Sequence, residues 1–247
     1  MRIAAVGDLH VGHDAAGSLA EGFARIGEQA DLLVLAGDLT THGDAGQAQI
    51  LVRELRDVPV PVVSVLGNHD HHAGEPDAVR RVLEKGGITV LDRESTVVEI
   101  GGCRVGVAGA KGFGGGFIGA SVTEFGEAEM KAFARTTIDI AADLERLLGS
   151  LEADVRIALL HYAPIRDTLA GEPPEIFPFL GSYLLAEAID RAGADLVVHG
   201  HAHRGAEQGS TPAGVPVRNV AKAVLRSAYA VYVVEPKVGA LREVREI

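Results

Sequence analysis

Leu32-Leu33-Val34-Leu35-Ala36-Gly37-Asp38 is an apolar run with the character of a buried strand, and it stops on a glycine and a carboxylate. The same arrangement stands on either side of it. Ile3–Val6 leads into Gly7-Asp8-Leu9-His10, and Val60–Leu66 leads into Gly67-Asn68-His69-Asp70. Between these runs the apolar period is helical. Ser18–Ala30 puts Leu19, Phe23 and Ile26 on one face, Ala45–Arg56 follows the second run, and Asp77–Lys85 follows the third. Strand, loop and helix repeated in this order imply parallel strands joined by crossovers.

The pattern changes after Gly86. Ile88–Leu91, Thr96–Ile100 and Arg104–Ala108 read as closely spaced strands, with Gly101-Gly102 as a hairpin turn. Gly109–Gly119 holds Gly112, Gly114, Gly115 and Gly116 and reads as an exposed flexible loop. It contains no P-loop or dinucleotide fingerprint. A long helix is expected over Glu124–Leu151, a strand over Arg156–Leu160 ending at His161, and a helix over Ser182–Ala192. Leu196–Val198 is a strand that runs into His199-Gly200-His201-Ala202-His203. Val215–Val220, Ala228–Val234 and Leu241–Val244 read as a strand meander. With no linker and no internal repeat, residues 1–247 are read as one α/β domain.

Hydrophobic residues at 47% and charged residues at 23% permit a sizeable core and argue against disorder. Trp is absent and other aromatics are few, so the core is built from aliphatic side chains. A net charge of −11 argues against a grip on extended nucleic acid, which needs a broad basic surface. It leaves room for a small anionic substrate held by metal ions, whose charge dominates locally. The only cysteine, Cys103, precludes an intrachain disulfide and reads as a small core residue. Met1–Val6 already reads as a strand rather than a signal peptide, and there is no apolar run of membrane-spanning length. No membrane association and a cytoplasmic location are therefore expected; the oligomeric state is not legible.

Five strand ends carry metal-capable side chains: Asp8 and His10; Asp38; Asn68, His69 and Asp70; His161; His201 and His203. In α/β sheets the carboxyl ends of strands line the ligand crevice, so clusters distant in sequence can converge. Glycine directly before several of them lets the backbone turn sharply and approach closely. Oxygen and imidazole donors without thiolate suit Mn, Fe, Zn, Co or Ni; a closed structural zinc site, Mg or Ca fits less well. Asp38 stands alone at its strand end between the other clusters, and one carboxylate can bridge two ions about 3.5–4 Å apart.

Asp8-Leu9-His10, Gly37-Asp38, Gly67-Asn68-His69-Asp70, His161 and Gly200-His201-Ala202-His203 together resemble the ordered motif set of the calcineurin-like metallophosphoesterases. One Asp-x-His pair would mean little; five motifs in order, from residue 7 to residue 203, are specific. The resemblance implies a four-layer α-β-β-α sandwich, two packed mixed β-sheets flanked by helices. It implies two divalent metal ions, one held by Asp8, His10, Asp38 and His203 and the other by Asp38, Asn68, His161 and His201. It further implies hydrolysis of a small phosphoester by a metal-bridging hydroxide, with His69 as the catalytic histidine that protonates the leaving oxygen. Asp70 is expected to orient His69 by a hydrogen bond. Each residue alone has a plainer reading: Asp8 or Asp38 as a helix cap, His161 as a hydrogen-bonded core histidine. His199 is expected to pack or support rather than ligate, and His13, His42, His71 and His72 lie nearby without an assigned role.

After Gly37-Asp38 the chain continues Leu39-Thr40-Thr41-His42, without the Asp-Arg-Gly of the protein-phosphatase branch. What remains is similar to the small bacterial phosphodiesterase branch. A diester preference is expected because no cation other than the metals is evident, unless the 109–119 loop delivers Lys111 to the site. A phosphomonoesterase or nuclease of the same family is the alternative enzyme, and a catalytically silent metal-binding scaffold is the alternative from another class.

Overall fold

The computed structural model describes residues 1–236 apart from 16 and 18. Its strands are β1 (Arg2–Val6), β2 (Leu32–Ala36), β3 (Val62–Val65), β4 (Thr89–Leu91), β5 (Glu94–Ile100), β6 (Cys103–Ala110), β7 (Gly116–Phe117), β8 (Ala120–Ser121), β9 (Val155–Leu160), β10 (Leu196–His199), β11 (Gln208–Ser210), β12 (Pro216–Asn219) and β13 (Ala230–Val233). Helices α1 (Ala20–Phe23), α2 (Ile26–Gln29), α3 (Ala45–Leu55), α4 (Pro76–Lys85), α5 (Ala128–Ser150), α6 (Phe177–Leu180), α7 (Tyr183–Ala192) and α8 (Lys222–Leu225) connect them.

Two mixed sheets result. One has the order β13-β1-β2-β3-β4, the other β11-β12-β10-β9-β6-β5. Within the first, β1 to β4 are parallel and β13 closes one edge antiparallel. In the second, β12, β10, β9 and β6 are parallel, with β11 and β5 antiparallel at the edges.

Burial on both faces explains why the strands read as continuous apolar runs. In β2, Leu32, Val34 and Ala36 face an inner core shared with Val105, Val107, Val155, Ile157, Leu159 and Val198 of the second sheet. Leu33 and Leu35 face outward onto Leu51 and Leu55 of α3 and Val79 and Leu83 of α4. Outside the second sheet, Ile140, Leu144 and Leu148 of α5 and Leu185 and Ile189 of α7 cover Ala158, Leu160 and Val197. The four-layer sandwich implied by the motifs is the observed architecture.

Helix ends follow local chemistry. Asp44 caps α3 by accepting from Gly46 N at 2.8 Å and Gln47 N at 3.0 Å, and Pro76 opens α4. Ser182 caps α7 by accepting from Leu184 N.

Four expectations need correction. The helix expected over Ser18–Ala30 is two short helices, α1 and α2. Gly22 and Gly27 weaken it, and both are needed, since a Cβ at Gly27 would lie 2.6 Å from Pro59 Cγ. The long helix begins at Ala128, after Glu124 has turned to pair with Arg135. The tail is no meander, because β12 joins β10 in one sheet while β13 joins β1 in the other; Leu241–Val244 lies outside the described residues. Lastly, Gly109–Gly119 is not an exposed loop. Gly109 and Ala110 end β6, and Gly112 and Gly114 to Phe117 are buried. Gly115 N donates to Pro178 O at 2.7 Å and Gly116 N to Gly181 O at 2.9 Å, so these glycines serve close backbone approach.

Leu159 is fully buried between the two sheets. Leu159→Ala is expected to lower the unfolding free energy by about 2–5 kcal/mol, seen as a reduced denaturation midpoint at unchanged slope. A loss within measurement error would show that the two sheets do not depend on this core.

Candidate metal centre

The loops after β1 and β2 run side by side and prolong the ladder. Asp8 N donates to Gly37 O at 2.9 Å, His10 N to Asp38 O at 3.0 Å and Val11 N to Leu39 O at 2.9 Å. Asp8, His10, Asp38 and His201 all adopt left-handed backbone, with φ of 57°, 45°, 48° and 70°. Asp and His tolerate this region better than most residues, though each such position stores strain. Glycines make the remaining room. A Cβ on Gly67 would collide with the Asp38 carboxylate and backbone nitrogen, and one on Gly200 with Asp8 Oδ2.

The two sheets are joined at this edge by the candidate residues themselves. His201 N donates to the Asp8 carboxylate, at 3.0 Å to Oδ2. His161, the residue after β9, is fully buried, and its Nδ1 lies 2.9 Å from the carbonyl of Ala36 on β2. A carbonyl only accepts, so the ring proton is on Nδ1 and the Nε2 lone pair faces the pocket.

Three side-chain groups gather there: Asp8, His10 and His203; His10, Asp38 and His69; and Asp38, His161 and His201. Within each, the ligand atoms lie within 4.8 Å of one another. His203 Nε2 is 2.9 Å from Asp8 Oδ1, and His10 Nε2 is 3.8 Å from Asp38 Oδ2. His161 Nε2 is 3.3 Å from Asp38 Oδ1 and 2.9 Å from Asn68 Oδ1. All seven expected ligands therefore converge, with Asp38 between the groups.

The electrostatics suit a cation. Burial pushes the Asp8 carboxyl up to about 6 and raises Asp38 as well. It lowers His161 to about 3 and His10 to about 4, and it brings His201 well below the ordinary value. These imidazoles are neutral at pH 7, the form that donates a lone pair. His203 alone is raised, by its hydrogen bond to Asp8. The Nε2 lone pair of His161 faces an Asp38 oxygen 3.3 Å away that also has only lone pairs to offer, a repulsion that a bound divalent cation would relieve. The donor set of carboxylate, imidazole and amide oxygen fits a divalent transition metal.

Asp70 departs from expectation. It makes no hydrogen bond to His69, whose Nδ1 instead lies 2.8 Å from Thr41 O. The fully buried Asp70 carboxylate accepts from Leu39 N, Thr40 N, Thr40 Oγ1 and Gly67 N, at 3.1, 2.8, 2.6 and 2.8 Å. It clamps the loop after β2 to the loop after β3, and so fixes the backbone that carries Asp38 and Asn68. Sequence reading missed Thr40 and Thr41, whose only signal was two hydroxyl residues following Gly37-Asp38-Leu39. It also missed Tyr162, whose ring packs 4.3 Å from that of His201.

His199, His13, His42 and His72 fall outside the cluster. His199 is buried against Thr168 Oγ1 and Gly200 O, both at 2.8 Å, as a packed residue. His13 pairs with Asp44 at 3.2 Å, and His42 and His72 face each other. Cys103 is half-buried at the β5–β6 hairpin.

The model of the calcineurin-like phosphoesterases matches residues 1–205. The chain belongs to this family. It is a metal-dependent phosphoester hydrolase by membership. Among solved structures it is similar to phosphopantetheinyl hydrolase from Mycobacterium tuberculosis, at 17% identity and a TM-score of 0.67, covering 96% of this chain and 98% of that one. A putative 5'-nucleotidase from Staphylococcus aureus matches at 16% identity and a TM-score of 0.55, over 98% of this chain and 56% of the other. GAP50, the anchor in the inner membrane complex of Plasmodium, matches at 14% identity and 0.55, over 90% and 72%. At these identities the likeness is one of fold. No curated protein matches the chain. Among the described residues no helix is long and apolar enough to cross a membrane.

Asp70→Asn places an amide group against backbone donors and should cost about 1–3 kcal/mol for each N–H left without an acceptor. Denaturation of the metal-free protein measures it. Full stability combined with lost turnover would return Asp70 to a role on His69.

Proposed function

We propose that this chain hydrolyses a small phosphoester at a two-metal centre. Asp8, His10, Asp38 and His203 would hold one ion, and Asp38, Asn68, His161 and His201 the other. The observation that carries this reading is the position of Asp38, with Oδ2 3.8 Å from His10 Nε2 and Oδ1 3.3 Å from His161 Nε2. When bound, two divalent ions supply positive charge to phosphoryl oxygens and lower the pKa of water. Mn, Fe, Zn, Co and Ni all match the donors.

The protein's own contribution is position and proton transfer. Asp70 and the Thr41 carbonyl hold the Asp38 loop and the His69 ring in register. With Nδ1–H donated to Thr41 O, an imidazolium at His69 has its second proton on Nε2, which lies 4.0 Å from Asp38 Oδ2 at the open side of the pocket. From there it protonates the departing oxygen. Burial keeps His161, His10 and His201 unprotonated, so none of them competes for that role. Acidity of the whole chain, at −11, weighs against extended nucleic acid as substrate. The lone Cys103 fits a reducing compartment, and the cytoplasm is the proposed location.

Elemental analysis after metal loading should give two ions per chain and about one after Asp38→Asn. At most one in the wild type would overturn the two-metal reading. His69→Asn should retain both ions and lower kcat by roughly 10²–10⁴-fold, less for a p-nitrophenyl leaving group that needs little protonation. Loss of metal in that variant would make His69 a ligand rather than the acid.

A further inference from the structure

Lys111 is the first residue after β6, at the same strand ends that carry the candidate ligands. Its carbonyl accepts from His161 N and Tyr162 N, both at 3.0 Å, so its place is tied to that of His161. The ammonium lies 5.2 Å from the centre of the Phe113 ring and 5.5 Å from that of Tyr162. Tyr162 in turn packs on His201 and Phe113 packs on Phe133, 4.3 and 4.9 Å between ring centres. An aromatic wall thus holds the side chain beside the Asp38, His161 and His201 group.

The ammonium has no carboxylate and no hydrogen-bond acceptor among the described residues; its contacts are the two ring faces. The charges facing it are Asp38 and Asp92, which attract it, and those of His71 and His161, which burial keeps neutral at pH 7. A half-buried ammonium with three unused donors, poised over aromatic faces, is an anion receptor without its anion. By contrast, Arg2 pairs with Asp31 and Arg80 with Glu84 and Glu94. Lys111 shares the Tyr162 ring with His201, one of the proposed ligands.

We propose that Lys111 receives the second negative charge of a phosphomonoester and fits this site to monoester dianions in preference to diester monoanions. The proposal rests on the reading of the centre as a phosphoester hydrolase and names its substrate class. A monoester carries between one and two negative charges at neutral pH because its second pKa is about 6. A diester carries one and gives a further cation nothing extra to bind. The expected diester preference assumed that no cation besides the metals reaches the site, and Lys111 removes that assumption. Lysine acts here as a point charge, with no bidentate geometry required of the substrate.

The test compares metal-loaded wild type with Lys111→Met, which keeps the volume of the stem, and with Lys111→Arg. Hydrolysis of p-nitrophenyl phosphate and bis-p-nitrophenyl phosphate is measured at one pH, and binding of inorganic phosphate is measured by calorimetry. In Lys111→Met, kcat/KM for the monoester and affinity for phosphate should each fall on the order of 10–100-fold, the worth of one charge-assisted hydrogen bond. The diester should change less than about threefold, metal content should not change, and Lys111→Arg should recover much of the loss. Equal effects on both esters, or unchanged phosphate affinity, would overturn the proposal. A metal-loaded wild type that cleaves neither ester would refute the hydrolase reading by itself, and the phosphate titration would still decide the role of Lys111.

Discussion

Everything in this structure turns on two buried carboxylates, Asp8 and Asp38, held near each other where two sheets meet. Burial disfavours their charge strongly enough to raise both, Asp8 to about 6. No arginine or lysine pairs with either among the described residues; their neighbours are backbone N–H groups and imidazoles. A fold that only needed stability would replace such a pair with apolar side chains. Four of the residues around this point also adopt left-handed backbone, which adds strain to the cost of desolvation. The stability has to come from elsewhere, and the apolar cores outside the two sheets and between them supply it.

The sandwich makes the convergence possible. Parallel strands present their carboxyl ends on one side, and two sheets with parallel strands at their centres, packed face to face, bring two such sides together. Asp8, Asp38 and Asn68 come from the first sheet, and His161, His201 and His203 from the second. A hydrogen bond from His161 to Ala36 O and another from His201 N to Asp8 cross the seam. Side chains of the site therefore also fix the relation between the layers. Any shift of one sheet along the other would be felt first at Asp38.

Much of this was legible in the chain. Strands buried on both faces leave continuous apolar runs, and a turn that carries a ligand leaves glycine followed by Asp, Asn or His. Hence Leu32–Asp38 announced both a strand and a site residue, and all seven proposed ligands are found together. Local signals failed where tertiary contact decided the outcome. Gly22 and Gly27 fell inside a single expected helix, yet they pack closely against Ala228 and Pro59, and the helix breaks between them. β11, Gln-Gly-Ser, has no apolar residue and is a strand only because β12 offers it an edge. The glycines of 112–116 suggested flexibility but serve a buried crossing over Pro178 and Gly181.

Asp70 and Lys111 show what neighbours in sequence do not reveal. Asp70 follows His69 directly, which made a hydrogen bond between them the natural expectation. Neighbouring residues on a short 3₁₀ turn point in different directions, so Asp70 turns inward to four donors while His69 turns outward to the pocket. Lys111 was named in the sequence only as a cation carried by the 109–119 loop: its neighbours are small residues and a phenylalanine, and nothing local says where it stands. Its partners, Tyr162 and the His161 backbone, lie some fifty residues on and meet it only because β6 pairs with β9 in parallel register, Ala110 beside Leu160. The proposed ligands announce themselves through motif and turn. What stands beside them is written in the pairing of strands.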